Sequence, residues 1–225
     1  MSVLAELIAL FAPPGCAACG RALTATAERL CVHCARALPW LGACCPRCAL
    51  PLHPGRRCPA ARAAFPRAWA PLAYESVARD LVRGLKIRGS PTVADVMAAH
   101  IAANLPLELR APDAALVPVP AQRSRRRARG FDPARLLTAA LARRLDRPLA
   151  DCLMRTDRSR RQSASTRRER RAPGRLQLRV RGSPPPHVLL IDDVHTTGAT
   201  FDACARTLAA HGVTVVAAVS YARTL

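Results

Sequence analysis

The stretch HVLLIDDVHTTGAT, residues 187–200, constrains the fold of this chain more than any other segment. Val188, Leu189, Leu190 and Ile191 run without a polar interruption, the pattern of a strand covered on both faces in a parallel sheet. Asp192 and Asp193 follow at its carboxyl end. Thr196, Thr197, Gly198, Ala199 and Thr200 then read as a tight turn that enters a helix. In sheets of this kind ligands sit beyond the carboxyl ends of the strands. Two carboxylates there can accept hydrogen bonds from vicinal sugar hydroxyls. A turn rich in N–H and hydroxyl groups, at the positive end of a helix dipole, suits a phosphate. Gly198 leaves room for close backbone approach. The segment therefore predicts a sugar-phosphate site.

The flanking pattern supplies the rest of such a sheet. Residues 69–74 (WAPLAY) read as a strand, and 76–87 and 92–104 have helical periodicity. Residues 115–120 (ALVPVP) read as a short buried strand, followed by an arginine-rich loop and a helix over 133–145. An irregular basic stretch begins at residues 153–155 and runs to 175. A helix over 200–211 and a closing strand over 214–221 (TVVAAVSY) complete the chain. Strands alternating with helices predict an α/β domain with a mainly parallel sheet and flanking helices. With 225 residues, the chain has room for that domain, over residues 66–225, and a small module over residues 1–65. Residues 1–14 read as an apolar or amphipathic helix without a basic leader. Glu6 interrupts it, and it is too short to span a bilayer. The expectation is a cytoplasmic protein, free or peripheral to the inner face of a membrane.

Eight of the ten cysteines fall between Cys16 and Cys58. Without a secretory leader, the crowding points to metal rather than disulfides. Cys16 and Cys19, then Cys31 and Cys34, form two CxxC knuckles whose four thiolates make a closed tetrahedral site of the kind that holds structural Zn²⁺. A second cluster contains Cys45, Cys48 and Cys58. The residue three places after Cys58 is Ala61, so the fourth ligand is Cys44 or His53, or this second ribbon has lost its metal. His33 reads as a surface residue, Cys152 and Cys204 as core, His100 and His211 as helix or cap residues, and His195 carries no assigned role.

The formal charge is +20, with 35 basic against 15 acidic residues, and Lys86 is the only lysine. Such a balance favours polyanionic partners. Arg123, Arg125, Arg126, Arg127 and Arg129 crowd one loop, and residues 155–175 are arginine-dense. Both are expected at the same edge of the sheet, as a basic rim around the phosphate site suited to a nucleic-acid backbone. Aromatic residues make up only 4% of the chain, and Phe131 alone reads as a stacking group near that rim.

The 187–200 segment resembles the PRPP-binding motif of type I phosphoribosyltransferases, PRPP being ribose 5-phosphate with a diphosphate on C1. With the double CxxC module in front, the whole chain is similar to the ComF/GntX-type competence-associated proteins. The likeness extends to FAPPGCAACG, LCVHCARAL, YESVARDLVRGLKIRG, LVPVP with RARGFDPARLL, and LMRTDRSRRQ. Where the family has Asn-Gln, this chain has Asp132 and Pro133. The resemblance implies a type I phosphoribosyltransferase fold behind a double zinc ribbon. It implies that Asp192 and Asp193 hold the ribose hydroxyls, with Mg²⁺ bridging to the diphosphate, and that residues 196–200 hold the 5-phosphate. Arg123, Arg129, Arg160, Arg161 and Gln162 would serve the pyrophosphate or a nucleic-acid strand. It implies a part in DNA uptake, with single-stranded DNA, a helicase-like ATPase and a membrane DNA channel as partners. Glycosyl transfer to an unknown acceptor and nucleotide sensing without turnover are the other two functions such a site can serve.

Overall fold

The computed structural model describes residues 14–23, 29–53, 57–111, 113–156 and 176–225. After a short helix α1 (Val32–Arg36), the chain forms β1 (Ala68–Trp69), β2 (Leu72–Ala73), α2 (Ser76–Arg88), α3 (Pro91–Asn104) and β3 (Ala115–Pro118). It continues through α4 (Arg123–Arg129), α5 (Pro133–Leu145), β4 (Leu153–Arg155), β5 (Leu178–Val180), β6 (His187–His195), α6 (Ala199–Ala209) and β7 (Thr214–Arg223).

The uninterrupted apolar strand stands at the centre. β6 lies between β7 and β3, with β1 beyond β7 and β2 also paired to β7. Every pairing in this sheet is parallel, with Leu190 opposite Val117 on one side and Ala218 on the other. The expectation of a parallel sheet flanked by helices is met. Residues 69–74 differ in detail. Pro71 cannot donate to a ladder, and the predicted strand divides into β1 and β2 around it.

Both faces of β6 are covered, as its sequence requires. Leu189 and Ile191 pack with Leu81, Leu85, Met97, Ile101, Leu137 and Leu141, from α2, α3 and α5. Val188 and Leu190 pack with Phe201, Cys204 and Leu208 of α6. Each large side chain of this kind contributes roughly 1.5–3 kcal/mol through burial.

The cysteine-rich segment joins both layers. Cys16, Ala17, Leu23, Cys34 and Leu38 belong to the first, whereas Cys48, Ala49, Ala60 and Phe65 belong to the second. Between the two ribbons, the amide of Leu41 donates to Pro71 O at 2.9 Å, and that of Ala73 to Pro39 O at 2.9 Å, closing the free edge beside β2.

The arginine-rich stretch after β3 is helical rather than a loop. Arginine is a strong helix former, no residue of α4 is buried, and Gly130 (φ 79°) ends it in the left-handed conformation. The predicted irregular stretch begins as an antiparallel pair, β4 with β5.

Candidate functional site

The carboxyl ends of β3 and β6 open a cleft of about 290 Å³. Its walls are Pro120, Ala121 and Gln122 after β3, Asp192, Asp193, Thr196 and Thr200 around the end of β6, Lys86 from α2, Arg125 and Arg129 from α4, Asp132, and Arg155. Val119 N–H donates to Ile191 O at 2.9 Å, which holds the first wall against the second.

Consecutive strand residues leave from opposite faces, and the two carboxylates do so. Asp193 turns toward α2, where Lys86 Nζ lies 2.8 Å from Oδ1. Asp192 turns toward the α6 layer, where its charge adds to the burial that raises the Cys204 thiol, and accepts the amide of Asp193 on Oδ1 at 2.8 Å. Asp193 is 6% exposed. Burial raises its carboxyl above the usual range, against the opposing charge of Lys86. Asp192 is pushed up further, by burial and then by the charge of Asp193. A divalent cation between them would relieve both carboxylates further.

Beyond them the chain turns sharply. Gly198 has φ 81° and serves as the N-cap of α6 with no capping side chain. A Cβ at this position would stand 2.9 Å from His195 Nε2. Glycine is therefore required by conformation and by the packed imidazole, as well as by any ligand. His195, unassigned from sequence, is 2% exposed. Its ring meets Phe201 and Phe65 edge-on at centroid distances of 5.3 and 6.2 Å. Burial, with the charge of Arg223 beside it, lowers the imidazole to about 4.

The turn straddles a crest. Thr196 and Thr200 border the carboxylate cleft, whereas Thr197, Gly198 and Ala199 border a hollow of about 250 Å³ shared with Arg62, Phe65, Asp202 and Arg206. Arg129 reaches the cleft, where its charge, after that of Lys86, offsets part of the burial that raises Asp193. Arg123 instead lines an adjoining hollow with Arg126, Arg135 and Arg181. Arg160, Arg161 and Gln162 lie outside the described residues, as does the N-terminal apolar segment up to residue 13. Phe131 sits over Gly89, where an added Cβ would meet its ring at 2.8 Å, so this aromatic is engaged in packing. Larger hollows of about 530 and 560 Å³ lie beside Trp40 and Trp69 and beside the first ribbon, away from these carboxylates.

Sequence reasoning missed Lys86, Asp132 and Arg223. Asp132 caps α5 by accepting the amides of Ala134 and Arg135, and its other oxygen accepts the amide of Ala121 at 3.1 Å, anchoring the wall after β3. An Asp before Pro at a helix start carries the capping signal. Nothing local marks the reach of Lys86 or Arg223.

The cysteine clusters form two donor sets, Cys16, Cys19, Cys31, Cys34 and Cys45, Cys48, His53, Cys58, each with ligand atoms within 4.8 Å of one another. A tetrahedral Zn²⁺ with bonds of about 2.3 Å separates its sulfurs by about 3.8 Å. Cys19 and Cys31 Sγ are 3.9 Å apart, as are those of Cys45 and Cys58, and Cys48 Sγ lies 3.3 Å from His53 Nε2. Both sets fit structural zinc. His53 completes the second set. Cys44 instead bridges Pro51 across the hairpin, as Gly15 bridges Ala22 in the first. The two knuckles repeat one another. The amides of Cys16 and Cys45 donate to Arg21 O and Leu50 O, those of Gly20 and Ala49 to Cys16 O and Cys45 O, and Gly20 and Ala49 share positive φ.

Residues 7–62 match the family described as Double zinc ribbon domain. None of the curated proteins matches the chain. Among solved structures, adenine phosphoribosyltransferase from Leishmania donovani is similar at 22% identity and a TM-score of 0.37, over 60% of this chain and 54% of that one. That from Leishmania tarentolae is similar at 22% identity and a TM-score of 0.36, over 62% of this chain and 60% of its own. The chain thus spans little more than half the length of these solved chains.

Proposed function

We propose that the cleft binds ribose 5-phosphate carrying a diphosphate on C1, as the type I phosphoribosyltransferase resemblance implies, and that the basic surface beside it holds single-stranded DNA in a ComF-type role in DNA uptake. The observation that carries the first part is the convergence of Asp192 and Asp193, at the carboxyl end of a central parallel strand, with the glycine-turned start of α6. In this reading the carboxylates accept the ribose hydroxyls, and the turn 196–200 receives the 5-phosphate through its N–H and hydroxyl groups. The carboxylates of Asp192 and of Asp193, the latter paired with Lys86, would provide the hard oxygen donors that Mg²⁺ favours, and the ion would neutralise the diphosphate. Arg125 and Arg129 stand where they can offset the charge that grows on a departing pyrophosphate as the C1–O bond breaks. Glycosyl transfer is thereby within reach of the same residues once an acceptor is supplied.

Calorimetric titration of Mg·PRPP into the zinc-loaded protein tests this reading. Binding at micromolar level is expected, with loss of at least about tenfold in Asp192→Ala/Asp193→Ala, a change of about 1.4 kcal/mol. Equal binding by both proteins, or by neither, overturns it.

The DNA reading rests on α4, whose five arginines lie on a helix with no buried residue. Arg125→Ser/Arg129→Ser should weaken binding of a single-stranded oligonucleotide without changing base preference. It should also reduce the slope of log affinity against log salt by about 0.7 for each phosphate that is no longer neutralised. An unchanged slope removes α4 from the interface.

A further inference from the structure

The guanidinium of Arg223, at the end of β7, is buried at 5% exposure and touches two parts of the molecule at once. Its Nε donates to Cys48 O at 2.9 Å, within the second cysteine knuckle. Its Nη1 donates to His195 O at 2.8 Å, to Thr196 O, and to Thr224 O at 2.7 Å. The amide of Thr224 also donates to His195 O at 3.0 Å. One cation therefore pins the carbonyls that begin the 196–200 turn to the backbone of a metal ligand. Among the described residues no carboxylate forms a salt bridge with it.

We propose that Arg223 is a positioning residue through which the metal centre at Cys45, Cys48, His53 and Cys58 sets the shape of the turn 196–200. Three thiolates and one Zn²⁺ sum to a single negative charge beside this guanidinium. A buried cation is stable where hydrogen bonds and a nearby counter-charge replace its water. When the metal leaves, Cys48, whose carbonyl Arg223 holds, is no longer fixed by coordination. The clamp loosens at the end that holds His195 and Thr196. Phe65, which packs between the second ribbon and His195, passes on the same displacement. Coupling of this kind is reciprocal, so a ligand that orders the turn tightens the metal by the same factor. That last consequence rests on the sugar-phosphate reading above; the coupling of metal to turn does not.

Backbone hydrogen exchange on the full zinc-loaded chain tests the coupling without any ligand. His53→Ala should lose one of two metals. In it and in Arg223→Gln, amides over residues 195–202 should exchange about tenfold faster than in the parent, while β3 is unchanged. The double variant should be no faster than either single one, since both break one linkage. If His53→Ala perturbs the whole chain, Arg223→Lys, which keeps the charge and loses the fork, should show the same local acceleration with both metals retained. A His53→Ala protein that has lost its second metal yet exchanges like the parent overturns the proposal, as does a double variant in which the two effects multiply. A separate arm follows zinc release to a chromophoric chelator with and without Mg·PRPP. Slower release from the second centre in the parent, and no slowing in Arg223→Gln, is expected. Failure of Mg·PRPP to bind the parent refutes the ligand reading and leaves the exchange result to decide the coupling.

Discussion

At the scale of single residues, the site is built from groups held in unfavourable states. Burial raises the carboxyls of Asp192 and Asp193 beside Lys86, and His195 is sealed among aromatic rings. His195 Nδ1 is buried with no hydrogen-bond partner among the described residues. Its effect on stability has a definite sign. The folded imidazole titrates at about 4 against an ordinary 6.5, so between these values the unfolded chain binds more protons. Stability is complete above 6.5 and falls as pH drops to 4, by on the order of 3 kcal/mol from this group. Asp192 acts in the opposite sense: its folded carboxyl keeps its proton to higher pH, so its contribution declines as pH rises above the ordinary 3.8. Comparing urea denaturation of the parent with that of His195→Leu across pH 4–7 separates the two. The variant should lack the acid-side loss while retaining the Asp192 trend. Parallel curves for both proteins would show that His195 does not titrate in this window.

Among elements, the turn between β6 and α6 is the most sharply specified. Its glycine combines φ 81° with an imidazole nitrogen 2.9 Å from where a Cβ would stand. Gly198→Ala should cost about 1–3 kcal/mol in chemical denaturation, since strain and a core clash add. A cost below about 0.5 kcal/mol would mean that the turn yields freely. This element was legible in sequence because an apolar run, two acids and a small-residue turn each dictate local structure independently. The same holds for α3 and α5, where Ser90 and Asp132 cap a helix whose first residue is proline. The helix α4 was not legible. Seven residues without an apolar stripe carry no periodic signal, and their helicity follows from propensity and the Gly130 stop. The division of β1 from β2 follows from Pro71, which has no N–H for the ladder and whose carbonyl accepts the Leu41 amide of the ribbon linker.

Over the whole molecule, the cysteine-rich segment is part of the core rather than an appendage. Its first ribbon packs on the α2–α3 layer and its second on the α6 layer. Asp202 of α6 accepts the amide of Ala64 at 2.7 Å, and Arg206 donates to Arg62 O at 3.1 Å, adding polar ties. CxxC spacing revealed the first metal set at once, whereas the second set, left open in the sequence, and the choice of His53 over Cys44 needed the hairpin register. Arg223, 28 residues from His195 and 175 from Cys48, left no trace in local sequence. Because the ribbons share both layers, stripping metal with a chelator should lower the melting temperature of the entire chain in one cooperative transition, seen equally by Trp40 and Trp69 fluorescence and by far-ultraviolet dichroism. Two separate transitions, with the sheet unaffected, would show independent units. Among the described residues no helix is long and apolar enough to cross a membrane.

The central claim concerns where a phosphorylated ribose sits, and a crystal structure of the zinc-loaded protein with Mg·PRPP measures that directly. The expected result is the 5-phosphate within hydrogen-bond distance, about 2.7–3.2 Å, of backbone N–H groups in residues 196–200. The ribose hydroxyls should lie on Asp192 and Asp193. Density for the ligand elsewhere, with the turn and both carboxylates untouched at saturating concentration, would contradict the claim.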